Sequence, residues 1–182
     1  MATTAGKPAS RFGIKEVADV TFYKIGTDGA KGDAVLFLDT LKVSNIEFTA
    51  EQTEARGGKG NAPLIIWDYG REANVTLQDA LLSMETLALL FENDTTKGTD
   101  GITISANTFP GNYYVEGTTY ARDEVTGEDD IFTFTIPRAK IQSEVTLTME
   151  AEGDPTVIDI NLRVLRGSDG NMMTLTKAKK TQ

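Results

Sequence analysis

The stretch from Phe48 to Gln78, "FTAEQTEARGGKGNAPLIIWDYGREANVTLQ", sets two strand-like runs on either side of a glycine-rich segment. The element after the glycines decides the fold. A helix starting there would make the segment a phosphate loop, because free backbone amides at a helix N-terminus cradle anions. The phosphate-loop pattern also needs Ser or Thr after its lysine, whereas Lys59 is followed by Gly60, and dinucleotide-binding spacing is missing as well. Instead "LIIWDYG", Leu64–Gly70, reads as an apolar strand, either buried on both faces or lying against a neighbour, and Val75 and Leu77 alternate behind it. The order is strand, glycines, strand, and the α/β nucleotide-binding class drops out.

Outward from this stretch the same period of two recurs. Ala18, Val20 and Phe22 alternate with polar residues, and after the turn-rich Gly26–Asp33 comes "AVLFLDTL"; Ile46, Phe48 and Ala50 share one side of the next run. Later come "ITISA", "YYVEGTTYA" and "IFTFTI", with Phe132, Phe134 and Ile136 on one face. Val145, Leu147, Met149 and Ala151 mirror Ile158, Ile160, Leu162 and Val164 across a turn at Gly153–Pro155, which predicts a hairpin. One stretch changes period. In "DALLSMETLALLFEN", Met84, Leu87, Ala88 and Phe91 fall at helical spacing, with Ser83 or Thr76 as the N-cap. Roughly eight or more short strands plus one helix predict an antiparallel β-sandwich or barrel with a flanking helix.

Composition narrows the function classes. A chain of 182 residues with 40% apolar content fits one domain with a sizeable core. Its net charge of -9, from 18 basic and 27 acidic residues, leaves little to gain from counterion release on nucleic acid, so specific DNA binding is not expected. Histidine and cysteine are both absent, which removes the commonest general base, the thiolate nucleophile and the main transition-metal ligands. No catalytic residue, cofactor or metal site is expected. No window approaches the roughly 20 apolar residues that span a bilayer, so no membrane partner is expected either.

Local features have modest readings. Asp123, Glu124, Glu128, Asp129 and Asp130 crowd around Gly127 with Arg122 alone opposing them, and lack calcium-loop spacing; they read as a solvated hairpin tip. The adjacent Tyr113 and Tyr114 point to opposite faces of a strand, so one of them is buried. The basic end, Lys177–Lys180, either hangs free, as exposed termini usually do, or touches a neighbouring copy.

The run "EFTAEQTEARGGKGNAPLIIWDYGREANVTLQDALLSMETLALLF", with "FTFTIPRAKI" and "LTMEAEGDPTVIDINL", resembles the tail tube proteins of contractile-tailed bacteriophages. The likeness lies in extended blocks in consistent order from Phe12 to Met173. It implies a mainly β, two-sheet antiparallel fold of the tail tube type with one flanking α-helix. Residues 1–182 would form a single tube domain with short flexible termini. It further implies homo-hexameric rings stacked into a hollow tube in the virion tail, assembled in the host cytoplasm. An acidic lumen would hold the tape-measure protein and then conduct DNA during ejection. Further partners would be a contractile sheath and baseplate or tail-terminator proteins. A ring-forming completion or capping protein, and the inner-tube protein of a contractile injection system, remain open beside it.

The resemblance also assigns the glycine segment. It implies an inter-subunit arm at about residues 50–63, carrying Glu51, Glu54, Arg56, Gly57, Gly58, Lys59 and Gly60, with Trp67 on the next strand. The four charged residues are expected to meet opposite charges on a neighbour. Ordering ten backbones costs roughly 10 to 20 kcal/mol, so the arm is expected to be disordered in the isolated chain and ordered on assembly.

Overall fold

A computed structural model describes residues 11–14, 16–91, 101–142, 144, 145, 147 and 157–180. Its strands, in chain order, are β1 (Phe12–Ile14), β2 (Asp19–Ile25), β3 (Lys31–Leu38), β4 (Leu41–Gly57) and β5 (Ala62–Asp79). After the helix α1 (Met84–Phe91) come β6 (Asn112–Asp123), β7 (Asp129–Ile141), β8 (Ile158–Val164) and β9 (Thr174–Ala178). All the pairings are antiparallel, in the order β3-β2-β6-β7-β8-β5-β4. The two long central strands each serve two neighbours on one edge. β6 holds β2 and then β1, and β7 holds β8 and then β9.

The sheet curls around its apolar rows without closing, since β3 and β4 end the path and do not pair with each other. Val20 and Phe22 of β2, Leu36 and Leu38 of β3, and Ala73, Val75 and Leu77 of β5 face inward. Val115, Ile136 and the alternating Ile158, Ile160, Leu162 and Val164 of β8 meet them. Full burial of each such side chain contributes roughly 1.5 to 3 kcal/mol, which makes these rows the main source of stability. Tyr113 is buried, edge-on to Phe22 at 6.2 Å, while Tyr114 points outward against Tyr23. That division comes from the alternation of a strand.

The helix begins where the spacing predicts. Ser83 is its N-cap, its Oγ accepting the Thr86 amide at 3.0 Å, and Leu89 and Leu90 enter the core. Thr76, the other candidate cap, lies inside β5, and the helix does not extend back to Asp79. Asp79 is buried at the end of β5, where its Oδ1 accepts from the Thr40 hydroxyl at 2.5 Å and ties the β3–β4 turn to the helix approach.

Three expectations change. Ile102–Ala106 has the alternation but is not a strand and joins no sheet among the described residues. Of the expected strand before Gly153, residues Glu144, Val145 and Leu147 are outside any strand; Met149, Ala151 and the turn at Gly153–Pro155 lie outside the described residues, as do residues 1–10. The basic end is not a free terminus as far as Ala178, because β9 pairs with Ile131–Thr135 of β7.

Candidate assembly surface

β4 and β5 are the longest strands, at 17 and 18 residues, and only their proximal halves belong to the sheet body. β5 pairs with β8 from Asp79 to Asn74 and then runs on without it, still paired to β4 from Glu72 to Ala62. The result is a two-stranded arm projecting from the sheet. The glycine segment is its tip rather than a disordered loop. Gly57 faces Ala62, and Gly58, Gly60 and Asn61 turn the chain at φ 77°, 93° and 50°. Positive φ at successive positions is what glycine permits and other residues resist. The expectation of disorder treated the segment as unpaired chain. Its flanks instead satisfy one another's backbone groups through cross-strand hydrogen bonds, which offset part of the ordering cost.

Every residue of the predicted arm is found on this hairpin: Glu51, Glu54, Arg56 and Gly57 on β4, Gly58, Lys59 and Gly60 in the turn, and Trp67 on β5 opposite Thr53. The charges are not all available to a neighbour. Arg56 already pairs with Glu54 at 2.5 Å, and Gln52 donates to Asp68 at 2.7 Å; no ion pair involves Glu51 or Lys59 among the described residues.

The stronger feature is apolar. Leu64, Ile65, Ile66, Trp67 and Tyr69 are each half or more exposed. The alternative of a strand buried on both faces is thereby excluded. Of these, sequence reasoning assigned only Trp67 to the arm, although it read the whole run Leu64–Gly70 as an apolar strand.

A register slip re-aims this run. Thr49 faces Glu72, but Glu51 faces Tyr69, so β5 carries one extra residue here, and Gly70 takes φ 60°. This is a β-bulge with glycine in the left-handed region, and it switches which residues share a face. Before the bulge Ala73, Val75 and Leu77 point into the core. Beyond it Tyr69, Trp67 and Ile65 point to the opposite side, together with Glu51, Thr53 and Ala55.

The acidic β6–β7 turn has more partners than Arg122. Arg122 grips Asp129 through two hydrogen bonds of 2.7 and 2.8 Å, which hold the Asp129 carboxyl below its ordinary pKa. Lys177 of β9 reaches Asp130 at 3.0 Å and Asp123 at 3.3 Å, and lies over the Phe12 ring. The hydrogen bond to Asp130, then that to Asp123, raises the Lys177 pKa against the cost of desolvation. Lys177 comes from 47 or more residues away in sequence, which is why spacing did not reveal it.

Among the described residues no cluster of His, Cys, Asp or Glu is arranged to hold a metal ion, and no helix is long and apolar enough to cross a membrane. A cavity of about 610 Å³ beside the β2–β3 turn is lined by Lys24, Arg138 and Arg166 without a carboxylate, so it presents no acid–base pair.

The sequence profile of the YomU/Tube protein family matches residues 12–100 and 90–175. The chain belongs to the YomU/Tube protein family. This tube-family chain is similar in fold to a chain of the sheath–tube complex of an extracellular contractile injection system (PVC) in its extended state. That likeness has 13% identity and a TM-score of 0.52, covering 96% of this chain and 94% of that one. It is also similar to a chain of the anti-feeding prophage tube-terminating cap, at 15% identity and a TM-score of 0.51, covering 98% and 100%. At such identities the likeness shows the fold alone. No curated protein matches the tube-family sequence. A structural tube protein, mainly β with one helix, is the class that family and fold give.

Proposed function

We propose that the chain is the repeating subunit of a hollow phage tail tube, forming hexameric rings that stack and conduct DNA. The observation that carries this is the projecting arm with Leu64, Ile65, Ile66, Trp67 and Tyr69 exposed. Among the described residues nothing covers the exposed half of these side chains, and a partner surface would. Burying such side chains yields roughly 1.5 to 3 kcal/mol each, while each association costs about 4 to 15 kcal/mol. A single contact is therefore weak, and a closed ring in which every copy gives and receives an arm is strong. Closure also caps the unpaired edges of β3 and β4, which otherwise invite irregular aggregation.

The outward face of β4, β5 and β8 suits a bore. Asn45, Thr76 and Asn161 form one cross-strand row, and Glu47, Asn74 and Arg163 the next. Their polar groups engage one another: Thr76 donates to Asn161 at 3.1 Å, Gln78 to Asp159 at 2.9 Å, and Arg163 pairs with Glu72. Glu47, Glu72 and Asp159 outweigh Arg163 there, a balance that repels a passing polyanion. The opposite outer face carries Tyr23, Phe37, Tyr114 and Tyr120, aromatic rings on which bases would stack, and suits an outer contact such as a sheath. The tape-measure protein would occupy the bore before DNA, with baseplate and terminator proteins at the two ends, in the virion.

The comparable likeness to a tube-terminating cap supports a second reading, a single ring that ends a tube. Negative-stain electron microscopy of concentrated purified protein separates the two. Stacked hollow tubes are expected, and a Trp67→Ser variant should stay monomeric with an unchanged melting temperature. Isolated rings would support the cap, and a parent chain that stays monomeric at high concentration would overturn both.

A further inference from the structure

The arm needs a receptor, and the molecule carries a surface that fits it. Where β5 runs on past the end of β8, two adjoining cavities of about 640 and 500 Å³ open and share Arg71, Gly170 and Met172. The floor is apolar: Phe48 is half exposed, and Met172 and Met173 pack on the edge of the core. The rim carries Arg71 and Arg166, while Arg163 beside them is paired with Glu72.

We infer that this groove receives the Ile65–Trp67–Tyr69 stripe of a second copy of the chain. The inference rests on the proposed assembly into a tube and specifies its contact. Two observations make the occupant another copy rather than the same chain's arm. Trp67 lies four residues beyond Arg71, which lines both cavities, on an extended strand, roughly 13 Å along it at about 3.3 Å per residue. The Gly70 bulge also turns the stripe away from the side on which Phe48 and Ala73 face the core. The stripe cannot fold back onto its own root, and an equivalent groove exists only on a neighbour.

The chemistry matches in both layers. Tyr69, Trp67 and Ile65 supply an apolar ridge for the apolar floor, and a cavity of this size accommodates a large aromatic side chain. Glu51 stands beside Tyr69 on the stripe side, and its carboxylate approaches the arginine rim on docking. Because ridge and groove are different patches, the contact is heterologous, and repetition closes a ring or continues a filament.

The absence of cysteine makes the contact directly testable. One batch of protein carries Thr53→Cys, on the stripe side opposite Trp67, and a second carries Met172→Cys. The two are mixed, assembled and treated with a short bis-maleimide. Gln52→Cys, on the arm's other face, replaces Thr53→Cys in a parallel mixture. The expected result is a cross-linked dimer in the Thr53–Met172 mixture at several times the yield of the Gln52–Met172 mixture. Equal yields, or assembled tubes without the dimer, overturn the groove assignment while leaving tube formation intact. Failure of the unsubstituted protein to assemble overturns the tube proposal and this inference with it. If Met172→Cys does not fold, Asn171→Cys on the same cavity wall replaces it, with the same outcomes.

Discussion

The phenyl ring of Phe134 lies against Gly117, its cross-strand partner, so closely that a Cβ at position 117 would sit 2.1 Å from the ring. The glycine is there for space, since no side chain fits beneath the ring, and Phe134 stays buried by crossing the β6 backbone. Gly117→Ala should therefore destabilise the fold by about 1 to 3 kcal/mol through overpacking. Urea denaturation of the two proteins measures it. Phe134→Leu in the Gly117→Ala background should restore part of the loss, because directly contacting substitutions are not additive. Independent, additive effects would show that the ring and the glycine do not constrain each other.

The elements that bury an alternating row were legible in the sequence. Val20 and Phe22, Val75 and Leu77, and Ile158 to Val164 all show period two because one face meets the core and the other meets water. The arm was half legible. Its position and its residues were named, but its outer strands carry no alternation, since both faces are exposed, and unpaired chain looks the same. The bulge at Gly70 was invisible. A one-residue slip depends on the partner strand, and nothing local to "DYGRE" distinguishes a bulge from a strand end. Ile102–Ala106 shows the converse, an alternating run for which the fold supplies no partner strand among the described residues.

The helix cap gives a test of local stability. Ser83 Oγ accepts the Thr86 amide at 3.0 Å and lies 2.8 Å from the Thr86 hydroxyl, which is itself buried. Removing the cap frees one amide and leaves a buried hydroxyl with one partner fewer. Ser83→Ala should cost about 1 to 2 kcal/mol, and Ser83→Asp, which keeps the acceptor at the positive end of the helix dipole, clearly less. Thermal denaturation of the three proteins gives the order, and equal melting temperatures for Ala and Asp would contradict it.

The attachment of β9 should depend on pH in a direction set by Lys177. Its pKa is raised in the folded chain, so the contribution is complete below the ordinary lysine value and fades as the pH climbs through the raised one. Asp129, held low by Arg122, contributes above the ordinary carboxylate range and loses its contribution as the pH falls through the lowered value. The Arg122–Asp129 pair is exposed enough for salt to weaken it, and the more covered Lys177–Asp130 pair is screened less. Amide exchange of Leu175–Ala178 should therefore speed up more in strong alkali than that of β8. Lys177→Met should speed it already at neutral pH, and an unchanged β9 in that variant would mean that strand pairing alone holds it.

Gly70 offers the sharpest separation of folding from assembly. At φ 60° a residue with a Cβ costs about 1 to 2 kcal/mol, and the nearest side-chain atoms, those of Glu51 at 3.8 Å and beyond, add no clash, so Gly70→Ala strains only the bulge. Inserting one alanine between Ala50 and Glu51 acts more strongly. It gives the extra residue of β5 a partner on β4 and restores unbroken alternation, which carries Tyr69, Trp67 and Ile65 to the side of Phe48 and Ala73. The sheet body, whose core rows all lie on the near side of the bulge, should keep its melting temperature. Assembly should fail, because the apolar stripe then faces the arm's own root instead of a neighbour. Sedimentation gives the assembled fraction and circular dichroism the fold. An insertion variant that sediments like the parent would show that the direction of the stripe does not govern the contact.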